Sequence, residues 1–317
     1  AYEPIPDSLS NDLSAHILGV QANMWTEYVL TPEHLEYMLL PRMAALSEVQ
    51  WCDRGRRDWD RFAQALPRIM EDYDRMGYNY ATVVFGVNSS LKNNPEKGCV
   101  EVTLSTLANA PIHYTLDGSE PTAQSPRYKG PIEITKGCTL KAVAIHGEKP
   151  SRVMTQVFAE NKALGHVVTL NTEPLEKYRF GAPESLVDGI QSTPSYANGD
   201  WVGWFGTPMS ATIDMAGASY HEVTLSTLVI KGEYIFPPLA LAVSTSDDGK
   251  QFTEVGRIEI PMEKADDPDG TKPYTVSFPE TSARYVRVEA RTVDVLPEWH
   301  GAHGENGFLF VDEILVR

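Results

Sequence analysis

The sequence predicts a multidomain, mainly β fold: a short strand-and-helix segment, a small Ig-like β-sandwich, and a larger jelly-roll-like β-sandwich. Three observations predict it. Helical periodicity is confined to about the first eighty residues. Beyond them the chain turns to period-two apolar runs separated by Gly and Asp turns. No helix-length periodicity returns before the last residue. The expected boundaries are 1–81, 82–161 and 162–317.

In the first segment, Ile17 to Glu27 is a short apolar run that reads as a strand ending in Trp25 and Glu27. A helix signal follows. Thr31 can cap it, Pro32 suits its first turn and Glu33 complements the N-terminal dipole. Leu35, Leu39, Met43 and Leu46 make its apolar stripe, and Pro41 should kink it. A second helix is predicted from about Arg57. There Trp59, Phe62, Leu66, Ile69, Tyr73 and Met76 step by three and four, and Gly77 is a natural stop.

The second segment alternates at Val100–Leu104, Ile112–Leu116, Ile132–Ile134 and Thr139–Val143, with Asp117-Gly118 as a hairpin-turn signal. In the third segment, strands are expected at Ala211–Met215, Leu239–Val243, Tyr285–Val288 and Phe310–Ile314, with a tight turn at Asp248-Gly249. The stretch from Glu263 to Lys272 is charged and carries Gly and Pro, so it reads as a mobile loop.

Composition narrows the function. The 317 residues carry 43 acidic against 27 basic side chains, a formal charge of −16. That balance argues against nucleic-acid or anionic-membrane partners, which need clustered Lys and Arg. No apolar run approaches the length of a membrane span, and no signal peptide is evident in this chain. The odd cysteine count (Cys52, Cys99 and Cys138) leaves at least one free thiol or an intermolecular bond. A Cys99–Cys138 bridge is not favoured, because on neighbouring antiparallel strands the two sulfurs would lie at opposite ends.

In an extended chain, Trp25 and Glu27 face the same side. An indole face can stack on a pyranose ring, and a carboxylate beside it can accept bonds from hydroxyls. The alternative is a core Trp and a surface Glu. The wider pattern favours the sugar. Gly-Val-Gln-Ala-Asn-Met-Trp-Thr-Glu at 19–27, followed by Leu-Pro-Arg-Met-Ala-Ala-Leu-Ser-Glu at 40–48, closely resembles the eighth strand and following helix of the family 20 β-N-acetylhexosaminidases. The resemblance implies that residues 1–81 are a remnant of a (β/α)8 barrel. It implies that Trp25 floors the subsite for a terminal N-acetylhexosamine and that Glu27 binds its distal hydroxyls. It also implies retaining hydrolysis, in which the sugar's own acetamido oxygen attacks the anomeric carbon without a cofactor. An Asp-Glu pair on an earlier strand supplies the acid in that family. Here the only such dipeptide is Asp312-Glu313, in the wrong segment, so the chain alone is expected to be inactive.

The run Tyr114 to Thr122 is similar to the small sandwich that follows the barrel in bacterial chitobiases, a structural module. The third segment resembles the discoidin-like (F5/8 type C) modules through Leu186-Val187-Asp188-Gly189, Val243 to Gly249, Arg284 to Val288 and Val311 to Ile314. Some such modules bind sugars through loop aromatics. Tyr196, Trp201, Trp204 and Trp299 are the candidates here, the alternative being that some of these Trp residues cap the core. Many such modules hold a structural Ca²⁺, and Asp188 and Glu313 match the positions that supply its side-chain oxygens. The run Trp299 to Glu305 contains His and Glu but reads as a Gly-rich surface loop rather than a transition-metal site. The partners implied are N-acetylhexosamine-containing glycans or chitin oligomers, together with the missing part of the barrel. The compartment implied is periplasmic, cell-surface or secreted. Two further readings stay open: a carbohydrate-binding accessory module, or sandwiches that only brace the barrel.

Overall fold

The structure, a computed structural model, describes all residues except 1, 2, 7, 108, 109, 147 and 148. After a single turn, α1 (Asn11–Ser14), residues 15–26 run as irregular chain. The strand expected over Ile17–Glu27 is therefore absent. A strand needs a neighbour to satisfy its N–H and C=O groups, and among the described residues nothing pairs with this run. Its main tether is Gln50, whose amide donates to the Val20 carbonyl at 3.2 Å.

The expected kink is a full break. Helix α2 (Pro32–Leu39) ends before Pro41, and α3 (Arg42–Trp51) starts after it. Proline cannot donate to the helical ladder, and its ring clashes with the preceding turn. Thr31 caps α2 by accepting from His34 N–H. Helix α4 (Trp59–Met76) is capped by Asp58, which accepts from Arg61 N–H, and closes on Gly77 in the left-handed conformation. Its apolar stripe buries Phe62, Leu66 and Met70 against Ala44 and Ala45 of α3 and against Tyr80, Phe85 and Leu107. The helices thus dock partly on the start of the second segment.

The described residues of that segment fold as a small sandwich of seven strands: β1 (Asn88–Asn94), β2 (Cys99–Ser105), β3 (Ile112–Thr115), β4 (Ile132–Ile134), β5 (Cys138–His146), β6 (Lys149–Pro150) and β7 (Met154–Phe158). One sheet runs β1-β2-β4, and the other is built on β5, which pairs β3, β6 and β7. Val100, Val102 and Leu104 face Ile112, Leu140, Ala142 and Ala144 across a shared core. Asp117 and Gly118 do form a turn, with Asp117 accepting from Ser119 N–H at 3.0 Å, but it joins no hairpin. A long loop follows it, and β3 pairs instead with β5. All three cysteines are free thiols, with Cys99 and Cys138 on different sheets.

The third segment holds nine strands: β8 (Val167–Leu170), β9 (Val202–Phe205), β10 (Met209–Asp214), β11 (Tyr220–Val229), β12 (Ala240–Ser246), β13 (Thr253–Glu259), β14 (Gly270–Thr281), β15 (Tyr285–Arg291) and β16 (Phe308–Val316). They form a five-stranded sheet, β13-β12-β15-β10-β8, packed on a four-stranded sheet, β14-β11-β16-β9. Ala211, Ile213, Leu241, Val243, Val286 and Val288 meet Val223, Leu225, Ile314 and Val316 between the sheets. Strand β16 is buried along nearly its whole length. Its outer face is covered by a satellite cluster in which Phe310 packs on Trp201, Leu228 and Ile235.

The two sandwiches are joined by hydrogen bonds rather than by a slack linker. Buried Asn161 donates to Glu313 Oε1 and the Ile314 carbonyl, and accepts from Ala163 and Val316 N–H. Gly165, at φ +72°, lies so close to Cys99 that an added Cβ would stand 2.2 Å from the Cys99 carbonyl oxygen. The charged stretch at 263–272 is not loose either. Lys272 pairs with Glu263 at 2.7 Å, Lys231 reaches Asp269 at 2.6 Å, and β14 already begins at Gly270.

Candidate functional site

Three groups of predicted residues can be located. Trp25 and Glu27 both lie in the irregular N-terminal segment and both face solvent, Trp25 at 76% exposure. The indole is free to stack on a ring, but no opposing wall closes over it among the described residues.

The four aromatic candidates of the third segment divide. Trp201 and Trp204 are completely buried, which corrects their reading as sugar platforms. Trp201 fills the cluster over β16, and Trp204 sits between the sheets. Their indole N–H groups are satisfied internally, by the Thr193 carbonyl at 2.9 Å and the Thr172 carbonyl at 3.1 Å. Neither has a face or a donor left for a ligand. Tyr196 is half-buried, edge-on to Tyr178, and its hydroxyl donates to Glu233 at 3.2 Å. It reads as part of the same cluster.

Trp299 is different. It is 40% exposed and leans on Phe236 and His300, with ring centroids 5.9 and 5.8 Å away. Beside it opens a cleft of about 600 Å³, lined by Lys231, Tyr234, Asp267, Asp269, Trp299 and His300 among others. Tyr234 is 38% exposed and holds φ at +65°, a left-handed conformation that costs a non-glycine residue energy. Its carbonyl accepts from Phe308 N–H at 2.7 Å, which fixes that conformation. His300 presents both ring nitrogens to backbone. Nε2 lies 2.8 Å from the Lys231 carbonyl, and Nδ1 accepts from Ala302 N–H at 3.1 Å. His303 meets the Leu296 carbonyl through Nδ1, and among the described residues no cluster of His, Cys, Asp or Glu gathers here to hold a transition metal. Tyr234, Lys231 and the two aspartates were not found from sequence. They sit far from Trp299 along the chain, and only the fold brings the 231–234 turn and the 263–272 stretch against it. Burial works against the Asp269 charge, yet hydrogen bonds from Lys231 hold its carboxyl below the ordinary range. The Lys264 N–H does the same for Asp267. Both are ionised near neutral pH.

The third group is a set of buried carboxylates at the junction. Asp312 and Glu313 are 1% and 0% exposed on β16, with Asp188 beside them. Burial pushes Asp188 up to about 7 and Asp312 up to about 6. It raises Glu313 well above its usual value, and the Asp188 charge adds to the effect. Asp188 accepts from Ile190 N–H, Asp312 from Ser192 N–H, and Glu313 Oε1 from Gly189 N–H and Asn161. Glu313 Oε2 has no partner among the described residues. An anionic oxygen left alone in a core is expensive unless a cation answers it. Asp312 Oδ1 is likewise without a partner among the described residues, and an oxygen-only donor set with two orphaned oxygens fits a hard divalent ion. No three His, Cys, Asp or Glu side chains converge among the described residues, so backbone carbonyls and water would complete such a shell.

Comparison with known proteins places these groups. Residues 1–54 match the glycosyl hydrolase family 20 catalytic domain, residues 102–158 the Fn3-associated family, and residues 169–313 the F5/8 type C domain. The chain thus carries a match to part of a family 20 glycosyl hydrolase domain near its start and a match to an F5/8 type C domain toward its end. Trp25 and Glu27 lie in the stretch that matches family 20, and the Trp299 cleft and the buried carboxylates lie in the stretch that matches the F5/8 type C domain. A β-hexosaminidase of Porphyromonas gingivalis is 33% identical over 144 residues, which is 44% of this chain and 18% of that protein. A β-N-acetylhexosaminidase of Cellulomonas fimi is 39% identical over 81 residues, 25% of this chain and 16% of that protein. The chain thus spans less than a fifth of these relatives. Among solved structures, the lectin domain of lectinolysin complexed with Lewis B antigen covers 51% of this chain and 98% of its own, at 20% identity and a TM-score of 0.33. A chitosan-binding module from a Paenibacillus chitosanase/glucanase covers 50% and 98%, at 16% identity and a TM-score of 0.32.

Proposed function

We propose that this chain is part of a β-N-acetylhexosaminidase and that its F5/8 type C domain is a carbohydrate-binding accessory of that enzyme. The observation that carries this reading is the presence, in one chain, of a family 20 match at 1–54 and an F5/8 type C match at 169–313. The parent reaction is removal of a terminal β-linked N-acetylhexosamine by substrate-assisted retaining hydrolysis. In it, Trp25 would stack under the sugar ring and Glu27 would accept bonds from its hydroxyls. Asp312-Glu313, sealed in a sandwich core, is not placed to supply the acid of that reaction. The purified chain should therefore leave an aryl β-N-acetylglucosaminide intact, and turnover that tracks the chain would overturn this assignment. The compartment proposed with it is periplasmic, cell-surface or secreted.

The F5/8 type C domain offers one surface suited to sugar, the cleft beside Trp299. Titrating the full chain with N-acetylglucosamine oligomers should give saturable binding that Trp299→Ala abolishes and Trp25→Ala leaves intact. The domain is further proposed to hold a structural Ca²⁺ at Asp188 and Glu313, supported by the orphaned Glu313 Oε2. When bound, the ion would neutralise the buried charge and lock the junction; it has no part in hydrolysis. A purely architectural reading is favoured by one observation, the hydrogen-bonded junction at Asn161. Absence of binding to every oligomer would favour that reading over the accessory one.

A further inference from the structure

We propose that the Trp299 cleft admits uncharged or amine-bearing sugar rings and turns away carboxylate-bearing ones. This rests on the reading of the cleft as a sugar site, and the argument is electrostatic. Among the described residues lining it, Lys231 is the one lysine or arginine. Its side chain is only 9% exposed, and its ammonium is already spent on the Asp267 carbonyl and on Asp269 Oδ1. It holds the wall of the cleft in place and does not face a ligand. His300 offers no substitute. Nδ1 is taken by Ala302 N–H and Nε2 by the Lys231 carbonyl, so neither ring nitrogen is left to face a ligand. What remains for a ligand to meet is two aromatic faces, Trp299 and Tyr234, and two carboxylates. Asp269 is 45% exposed, and its Oδ2 is free of the Lys231 contact. A hydroxyl or an ammonium can donate to it, whereas a carboxylate meets a like charge with no cation to answer it. One such repulsion, several ångströms away at a half-exposed site, is worth about tenfold in affinity.

The test is calorimetry on the full chain with three disaccharides of equal size: N,N′-diacetylchitobiose, its N-deacetylated counterpart, and one ending in glucuronic acid. The acetylated and amine forms should bind, the amine form at least as tightly, and the glucuronate form about tenfold or more weakly. Trp299→Ala should remove all binding. Asp267→Asn keeps an oxygen for the Lys264 N–H, and so should narrow the gap between glucuronate and neutral sugar severalfold. Equal or tighter glucuronate binding overturns the charge selection while leaving the sugar cleft standing. Binding that survives Trp299→Ala, or no binding of any of the three, overturns the cleft reading and the selection with it.

Discussion

Substituting Glu313→Gln should have opposite effects with and without Ca²⁺, and this tests the proposed ion site most sharply. Glutamine keeps the Oε1 atom that accepts from Asn161 at 2.7 Å and from Gly189 N–H at 3.0 Å. It replaces the orphaned Oε2 by a neutral amide, removing one buried charge from beside Asp188 and Asp312. In chelator, the wild-type domain carries that charge, or the cost of protonating it, with nothing to offset it. The variant should therefore be as stable or more stable, by about 1–3 kcal/mol, the usual cost of an unsatisfied buried polar group. With Ca²⁺ at about a hundred times its dissociation constant, binding adds about 2.7 kcal/mol to the wild type. A domain of this size converts that to a rise of roughly 5–10 °C in melting temperature. The variant should show little of it. The assay is thermal unfolding of both proteins in EDTA and in millimolar Ca²⁺, with Mg²⁺ as a control. A wild-type melting temperature indifferent to Ca²⁺, combined with a destabilised variant in EDTA, would refute the reasoning. The carboxylate would then be a satisfied structural acid.

Other substitutions test the packing. Trp204→Ala should cost about 3–5 kcal/mol, the range for emptying a large aromatic site in a core, read by denaturant unfolding. Gly165→Ala should destabilise the junction by about 3 kcal/mol or more, since it adds a Cβ at φ +72° and 2.2 Å from the Cys99 carbonyl oxygen; an unchanged melting profile would mean that the two sandwiches are not pressed together there. Asp214 gives a pH signature. Its carboxylate takes a two-pronged bond from Arg284, which holds its pKa below the ordinary value. A depressed pKa means stability present above about pH 4 and lost as pH falls through the folded value. Asp214→Asn should thus cost about 0.5–1 kcal/mol at pH 7 and close to nothing at pH 2–3, compared by urea unfolding.

Much of this fold was legible because period two is a strong signal wherever one face of a strand is buried. Val100, Val102 and Leu104 alternate because their partners on β3 and β5 lie on one side only. The same holds for Val286 and Val288 on β15. The run ending at Trp25 has equally good apolar content, but a strand is a property of a pair, and no pairing partner is described for it. Aromatic type misled in the same way. Trp201, Trp204 and Trp299 look alike as letters in glycine-containing stretches. What separates them is whether a backbone carbonyl waits for the indole N–H inside, as Thr193 and Thr172 do. The cleft itself was beyond reach, because Tyr234 and Asp269 come to Trp299 only through the closing of the sandwich.

The distribution of exposed apolar surface separates the two halves of the chain physically. Within residues 169–313, Trp201, Trp204, Tyr220, Phe236 and Phe310 are sealed, whereas Trp299 is 40% exposed. Before residue 80 the pattern inverts. Trp25, Tyr28, Leu30, Trp51 and Trp59 are all between 62% and 89% exposed, while α4 buries only one stripe, and part of that against Phe85 and Leu107. Each large side chain left in water forgoes about 1.5–3 kcal/mol relative to full burial. The family 20 part is therefore held mainly by what the small sandwich offers it, and the sandwiches hold each other through Asn161 and Gly165. Those junction contacts involve no residue that lines the Trp299 cleft, so a bracing role and a sugar-binding role for residues 162–317 are compatible. The junction does the first with backbone and buried carboxylates, and the cleft would do the second with Trp299 and Tyr234, without sharing a residue.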